Sequence, residues 1–138
     1  NWTERIGPAA AIATIKKYIH ENVAEHIINI GDAVKKVWLT NSEKHKININ
    51  VSGLPTLAAF SFLAENNQTM MTVFTIEMLK RGFLGFRQFK PSYAHSTDDV
   101  SKYQNAVDEV FFNIATKPID ELLVTPVAHT GLHRLTKE

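Results

Sequence analysis

Glu77-Met78-Leu79-Lys80-Arg81-Gly82-Phe83-Leu84 runs on to Ser92-Tyr93-Ala94-His95-Ser96-Thr97-Asp98-Asp99-Val100, and this stretch decides how the chain folds. It predicts the end of a helix, a glycine stop, a short extended segment, a Pro-marked turn and the capped start of another helix. Lys80 and Arg81 suit the negative end of a helix dipole. Gly82 is a natural residue for the left-handed position just past a helix. Ser96 with Asp99 three residues on is a capping-box variant, and Asp98 adds charge to the first turn. A loop between strand and helix is where a small domain offers groups to a ligand.

Upstream of this stretch, Met70 to Arg81 reads as a helix with Met70, Val73, Phe74, Ile76 and Leu79 inward, and with Asn67 or Thr69 as its N-cap. Leu57 to Leu63 is a continuous apolar run, which predicts a central strand. Ile47-Asn48-Ile49-Asn50-Val51 alternates strictly, which predicts a strand with one buried face. The short turn Ser52–Thr56 makes these two strands antiparallel neighbours. Phe83 to Phe89 is a third strand or extended segment.

At the N-terminal end, Gly7 breaks the chain and Pro8 suits a first helical turn. Ile12, Ile15 and Ile19 recur at helical spacing. Val23, Ile27, Ile30, Val34, Val37 and Trp38 form a second stripe, with Glu25, Asp32, Lys35 and Lys36 opposite. The expectation is one long helix, or two with a bend near residues 20–22, ending around Asn41. Gly31 inside the stripe marks close packing. At the other end, Val100, Tyr103, Val107, Val110, Phe111 and Ile114 form the buried stripe of a last long helix, which Lys117-Pro118 ends. Ile119 to Leu123 adds a short turn. The predicted fold is α/β (α+β): a small three-stranded, mainly antiparallel sheet with helices packed on one face. Residues 1–41 form a helical lead-in, 42–117 the sheet and its helices, and 118–138 a tail.

Composition narrows the function classes. The 138 residues are 44% hydrophobic and 21% charged, with a net charge of +1 and no cysteine. Scattered basic residues give no footprint for nucleic acid or an acidic membrane. Thiolate catalysis and zinc–thiolate sites are excluded, and a reducing compartment is favoured. No apolar run reaches the ~20 residues of a bilayer span. The first residue, Asn1, predicts a chain cut from something longer.

Candidate chemistry is sparse. His129 and His133 are four apart, but the glycine between them argues against a helix presenting both to a metal. His20, His26 and His45 read as solvated. No nucleophile elbow and no glycine-rich phosphate loop occurs, and Glu77 and Glu109 are helical residues without an assigned place. Arg87, Ser92 and His95 flank one turn, and Arg87 is able to bind a carboxylate in bidentate fashion. The plainer alternative is that Arg87 and Lys90 are exposed charges and His95 packs at a helix entry. The residue pattern by itself favours that alternative.

Trp2-Thr3-Glu4-Arg5-Ile6-Gly7-Pro8-Ala9-Ala10-Ala11-Ile12-Ala13-Thr14-Ile15 resembles the lead into the small domain of class III aminotransferases, in the glutamate-1-semialdehyde aminotransferase-like branch. Ser52-Gly53-Leu54-Pro55, Glu77 to Gly82 and Ser92 to Val100 resemble that family in the same order and at similar spacing. Pro126-Val127-Ala128-His129 with Gly131 to Leu135 resembles a tail of some members. The resemblance implies the C-terminal small domain of a fold-type-I enzyme that uses pyridoxal phosphate, is a cytoplasmic homodimer, and moves an amino group between a donor and a carbonyl acceptor. It implies that the Schiff-base lysine and the phosphate cradle belong to a large domain that precedes Asn1, so no cofactor is expected on this chain alone. Thr3 does not match the family's phosphate-reaching threonine. It further implies that the small domain closes over a small amino or keto substrate, with Arg87, Ser92 and His95 nearby. Arg87 stands where the semialdehyde aminomutase has an acidic residue, which disfavours that reaction and suits a substrate with an extra negative group. Trp2 and the Ala9–Ala13 run are the faces expected to meet the large domain. An aminomutase fragment and a stand-alone binding or dimerisation module are the alternatives.

Overall fold

β2 (Ala58–Phe62) is the middle strand of three, paired antiparallel with β1 (Ile49–Ser52) on one side and β3 (Gln88–Phe89) on the other. The computed structural model describes residues 4–129 and Gly131. The Leu57–Leu63 run is central, as its apolar content predicts, but it is buried on one face only. Ala58, Phe60 and Phe62 are buried while Ser61 is exposed. The register sets Val51 opposite Phe60 and Ile49 opposite Phe62, so the half-buried residues of β1 extend the same apolar face.

The helices are α1 (Ile6–His20), α2 (Val23–His45), α3 (Asn67–Lys80), α4 (Thr97–Thr116) and α5 (Ile119–Leu122). Three of them meet the Phe60 face. The Phe60 ring lies 4.8 Å from Trp38 of α2, 5.1 Å from Phe74 of α3 and 6.3 Å from Phe111 of α4, centre to centre. Aromatic pairs in such tilted and edge-on arrangements add to the burial of their area. The fold is the expected small antiparallel sheet with helices on one face.

The bend between α1 and α2 falls at Asn22, whose φ of 48° is left-handed. Asn tolerates that region better than most residues. Gly7 does not break the chain; it lies inside α1. α1 buries no residue, and Ile12, Ile15 and Ile19 are 55%, 59% and 73% exposed. Trp2 lies outside the described residues.

α2 continues to His45, past the expected stop near Asn41. The polar residues there bond back into their own helix: Asn41 Nδ2 donates to the Val37 carbonyl and Ser42 Oγ to the Leu39 carbonyl. The helix ends where Lys46 turns left-handed at φ 56°, letting the Ile47 N–H reach the Ser42 carbonyl at 2.9 Å. A lysine in that position carries no sequence signal for a helix end. Ile47, expected to start β1, instead packs into the core.

α3 differs from expectation in its start and at Leu79, while Val73 and Phe74 are buried as expected. Asn66 precedes it with no side-chain cap, rather than Asn67 or Thr69 capping it. Met71, Phe74 and Met78 face the core, and Leu79 is 57% exposed. Leu79 lies about 100° round the helix from Met78, which carries it off the stripe. Glu77 is buried between Lys80 Nζ at 2.6 Å and Arg81 at 2.9 Å, and Arg81 reaches on to Glu109 of α4. Gly82 follows α3 at φ 83°, the predicted left-handed stop. The capping box at Ser96 is formed from both sides. No helix among the described residues is long and apolar enough to cross a membrane.

Gly31 permits the tightest approach of any described glycine. A Cβ there would sit 1.9 Å from the Pro55 carbonyl oxygen, whereas one at Gly7 would meet nothing within 4 Å. Gly31→Ala should therefore cost about 2 kcal/mol or more in urea-unfolding experiments, and Gly7→Ala should leave the transition in place.

Burial pushes the Glu77 carboxyl up, but its hydrogen bonds to Lys80 and then Arg81 outweigh this and hold it below its ordinary value of 4.5. A depressed carboxyl contributes stability above its unfolded pKa and loses it as pH falls through the folded one. Wild type should exceed Glu77→Gln in stability at neutral pH. That margin should shrink below about pH 4.5 in denaturation curves measured across pH.

Candidate functional site

The extended segment 83–90 leaves α3 and passes over the start of α4. Its path is set by Gly85, where a Cβ would lie 2.8 Å from two carbons of the Met78 side chain. The backbone is thus pressed against the core, and a cleft of about 310 Å³ opens between this segment and α4. Phe83, Phe86 and Phe89 line one side, Val100 and Tyr103 the other, with Val34 of α2 also contributing. Gln88, Lys90, His95 and Asp99 are its polar lining residues, together with the Tyr103 hydroxyl side chain.

The loop that enters α4 is fixed by its own main chain. Ser92 N–H donates to His95 Nδ1 at 2.9 Å, and Ser92 Oγ lies 3.0 Å from the same nitrogen. A backbone N–H donates and does not accept, so Nδ1 must be the acceptor and the ring proton sits on Nε2. The His95 carbonyl accepts from His26 Nε2 of α2 at 2.9 Å. Phe89 meets the His95 ring edge-on at 5.2 Å. One residue on, Asp99 Oδ2 accepts from the Ser96 N–H and hydroxyl, which holds this carboxyl below its usual range.

The same loop grips the α1–α2 joint. Tyr93 donates to Glu21 at 3.1 Å and meets His26 edge-on. That bond lowers the Glu21 carboxyl and raises the Tyr93 phenol. At the back of the cleft, Trp38 Nε1 donates to the Tyr103 oxygen at 2.9 Å, and burial pushes the Tyr103 phenol up to about 12. Tyr103 is therefore a neutral hydroxyl at any ordinary pH.

Of the three expected site residues, the structure joins Ser92 and His95 and sets Arg87 apart from them. Arg87 is exposed, its guanidinium 5.0 Å from the Phe86 ring centre, and its carbonyl accepts from the Phe60 N–H. The Ser92–His95 contact has the parts of a nucleophile and base. Yet no carboxylate orients His95 Nε2 among the described residues, as that chemistry requires. It serves as a turn.

Two residues have roles that the sequence pattern hid. His45, expected to be solvated, has a side chain only 10% exposed and lies 2.6 Å from Asp108, which Lys44 also holds. Glu77 ties α3 to its own C-terminal cations. Both are set by contacts across elements or along a helix face, and neither carries a motif. Of the other histidines expected to be solvated, His20 is exposed, while His26 is half-buried and donates to the His95 carbonyl. No group of three or more potential metal ligands occurs among the described residues, and His133 lies outside them, as do residues 132–135 of the tail motif.

No family model and no curated protein matches this sequence. A solved structure does: the PLP internal aldimine form of the Sphingopyxis sp. MTA144 FumI protein, at a TM-score of 0.68 and 24% identity. The match covers 83% of this chain and 30% of that one. The fold is a known one. The antiparallel sheet and its helices recur as under a third of the length of a larger chain.

The His95 geometry is open to direct measurement. Long-range proton–nitrogen NMR should find the His95 proton on Nε2 and a pyridine-like Nδ1. Ser92→Pro, which removes the donating N–H, should release that tautomer preference.

Proposed function

We propose that this chain is the C-terminal small domain of a pyridoxal-phosphate enzyme that transfers an amino group from an amino donor to a carbonyl acceptor. The observation that carries the reading is the shared fold with 30% of a chain whose structure holds that cofactor. The sequence motifs in family order support it, since they resemble that family independently of the fold. The amino-transfer reaction and the class III assignment rest on the motifs.

The described residues do not fit the cofactor by themselves. A lysine that forms an imine must shed its proton, which burial promotes. Lys35 is half-buried but donates to the Gly53 carbonyl, and every other described lysine is exposed. In this reading a large domain holds the cofactor, and two such subunits pair in the cytoplasm. The exposed apolar side of α1 is the surface that meets the large domain, because an isolated helix with Ile12, Ile15 and Ile19 in water gains by covering them. The small domain closes over an amino or keto substrate, excludes water and presents Arg87 to a substrate anion, with Ser92 and His95 shaping the loop.

Arg87→Ala in the full-length enzyme should lower kcat/KM for anionic substrates by about tenfold, the loss of one charge-assisted hydrogen bond, and spare neutral ones. Equal constants for all substrates would remove Arg87 from the site. This chain alone, incubated with pyridoxal phosphate, should develop no visible absorbance band and turn over no amino acid. Activity of the isolated chain would overturn the assignment.

A further inference from the structure

The cleft between segment 83–90 and α4 has walls of one kind and polar groups of another. Phe83, Phe89 and Val100 make it apolar, and its volume of about 310 Å³ suits a small organic molecule. Of its polar residues Lys90, His95 and Tyr103 carry donors, Gln88 carries both a donor and an acceptor, and Asp99 is an acceptor. Lys90 has no ion-pair or hydrogen-bond partner among the described residues, unlike Lys44, Lys80 and Lys102. His95 is locked with its proton on Nε2, and that N–H has no acceptor among the described residues. The one carboxylate, Asp99, is spent on the Ser96 N–H and hydroxyl at 2.8 Å and 2.7 Å. The Tyr103 oxygen already accepts from Trp38, which leaves its own proton to give.

A cleft with apolar walls, an unpaired ammonium and unfilled N–H donors complements an anion with an apolar body. We infer that it binds an organic carboxylate whose chain or ring lies against Phe83, Phe89 and Val100 while its charge meets Lys90 and His95. The acceptor oxygens match the donors, and the charge on Lys90 assists that pairing. The site belongs to the chain as it stands, so it holds or fails independently of any cofactor or amino transfer.

The test is a titration of the purified protein followed by NMR, with hydrocinnamate as the probe and hydrocinnamyl alcohol as its uncharged counterpart. Hydrocinnamate should cause saturable shifts at the Val34 and Val100 methyls and at the His95 ring nitrogens. The alcohol should bind at least tenfold more weakly. Lys90→Gln should weaken hydrocinnamate about tenfold, leave the alcohol unchanged and keep the methyl spectrum, while Lys90→Arg should retain binding. Absence of saturable shifts at those three residues, equal binding of acid and alcohol, or an unaffected Lys90→Gln would each overturn the inference.

Discussion

Phe60 is the constraint on which the rest depends. It sits in the middle strand, 2% exposed, with a ring from each of α2, α3 and α4 around it and Phe62 beside it. Each of these helices brings one aromatic ring of its stripe to this side chain. Removing the ring would leave a void that three elements share, and such voids cost about 3–5 kcal/mol where the surroundings cannot collapse. The sheet is too small to hold helices on both faces, so the arrangement is one-sided. Ser61 and Asn50 accordingly point to solvent.

That packing reaches the cleft through Gly85. The segment after α3 lies against Met78 and Phe74, two residues that also face Phe60 or its neighbours. The cleft wall is therefore an extension of the core and not a free loop. On the opposite side, the Ser96 capping box fixes where α4 begins, and the Ser92 amide fixes the His95 ring. Main-chain donors do both jobs. The geometry thus needs little from the exposed side chains, which leaves Lys90 and Arg87 unengaged by any ion pair among the described residues. The loop's Tyr93 also reaches Glu21 at the α1–α2 joint, so the cleft and the exposed helix α1 share one support.

Features with a local cause were legible. Alternation in β1, the apolar run of β2, the Gly82 stop and the Ser96–Asp99 box are each decided within a few residues, and each is found. The bend at residues 20–22 and the tight packing of Gly31 were legible for the same reason. The end of α2 was not, because Lys46 takes a left-handed conformation that glycine or asparagine would have announced. Leu79 misled because hydrophobicity says that a residue prefers burial and does not say which neighbour stands there. The grouping of Arg87 with Ser92 and His95 was read from sequence proximity. Only two of the three hydrogen-bond to one another.

By itself the sequence determined the order of elements, the one-sided antiparallel sheet and the capped loop before the last helix. These follow from periodicity, turn chemistry and caps, whose energies are local. Only the tertiary structure decided that His45 and Glu77 are engaged by Asp108 and by Lys80 and Arg81, that Asp99 is consumed by its own cap, and that Lys90 and His95 line one cleft. The reason is physical: the charge a group keeps and the partner it meets depend on which elements are packed beside it. That packing is set by a shared buried ring, not by neighbours along the chain.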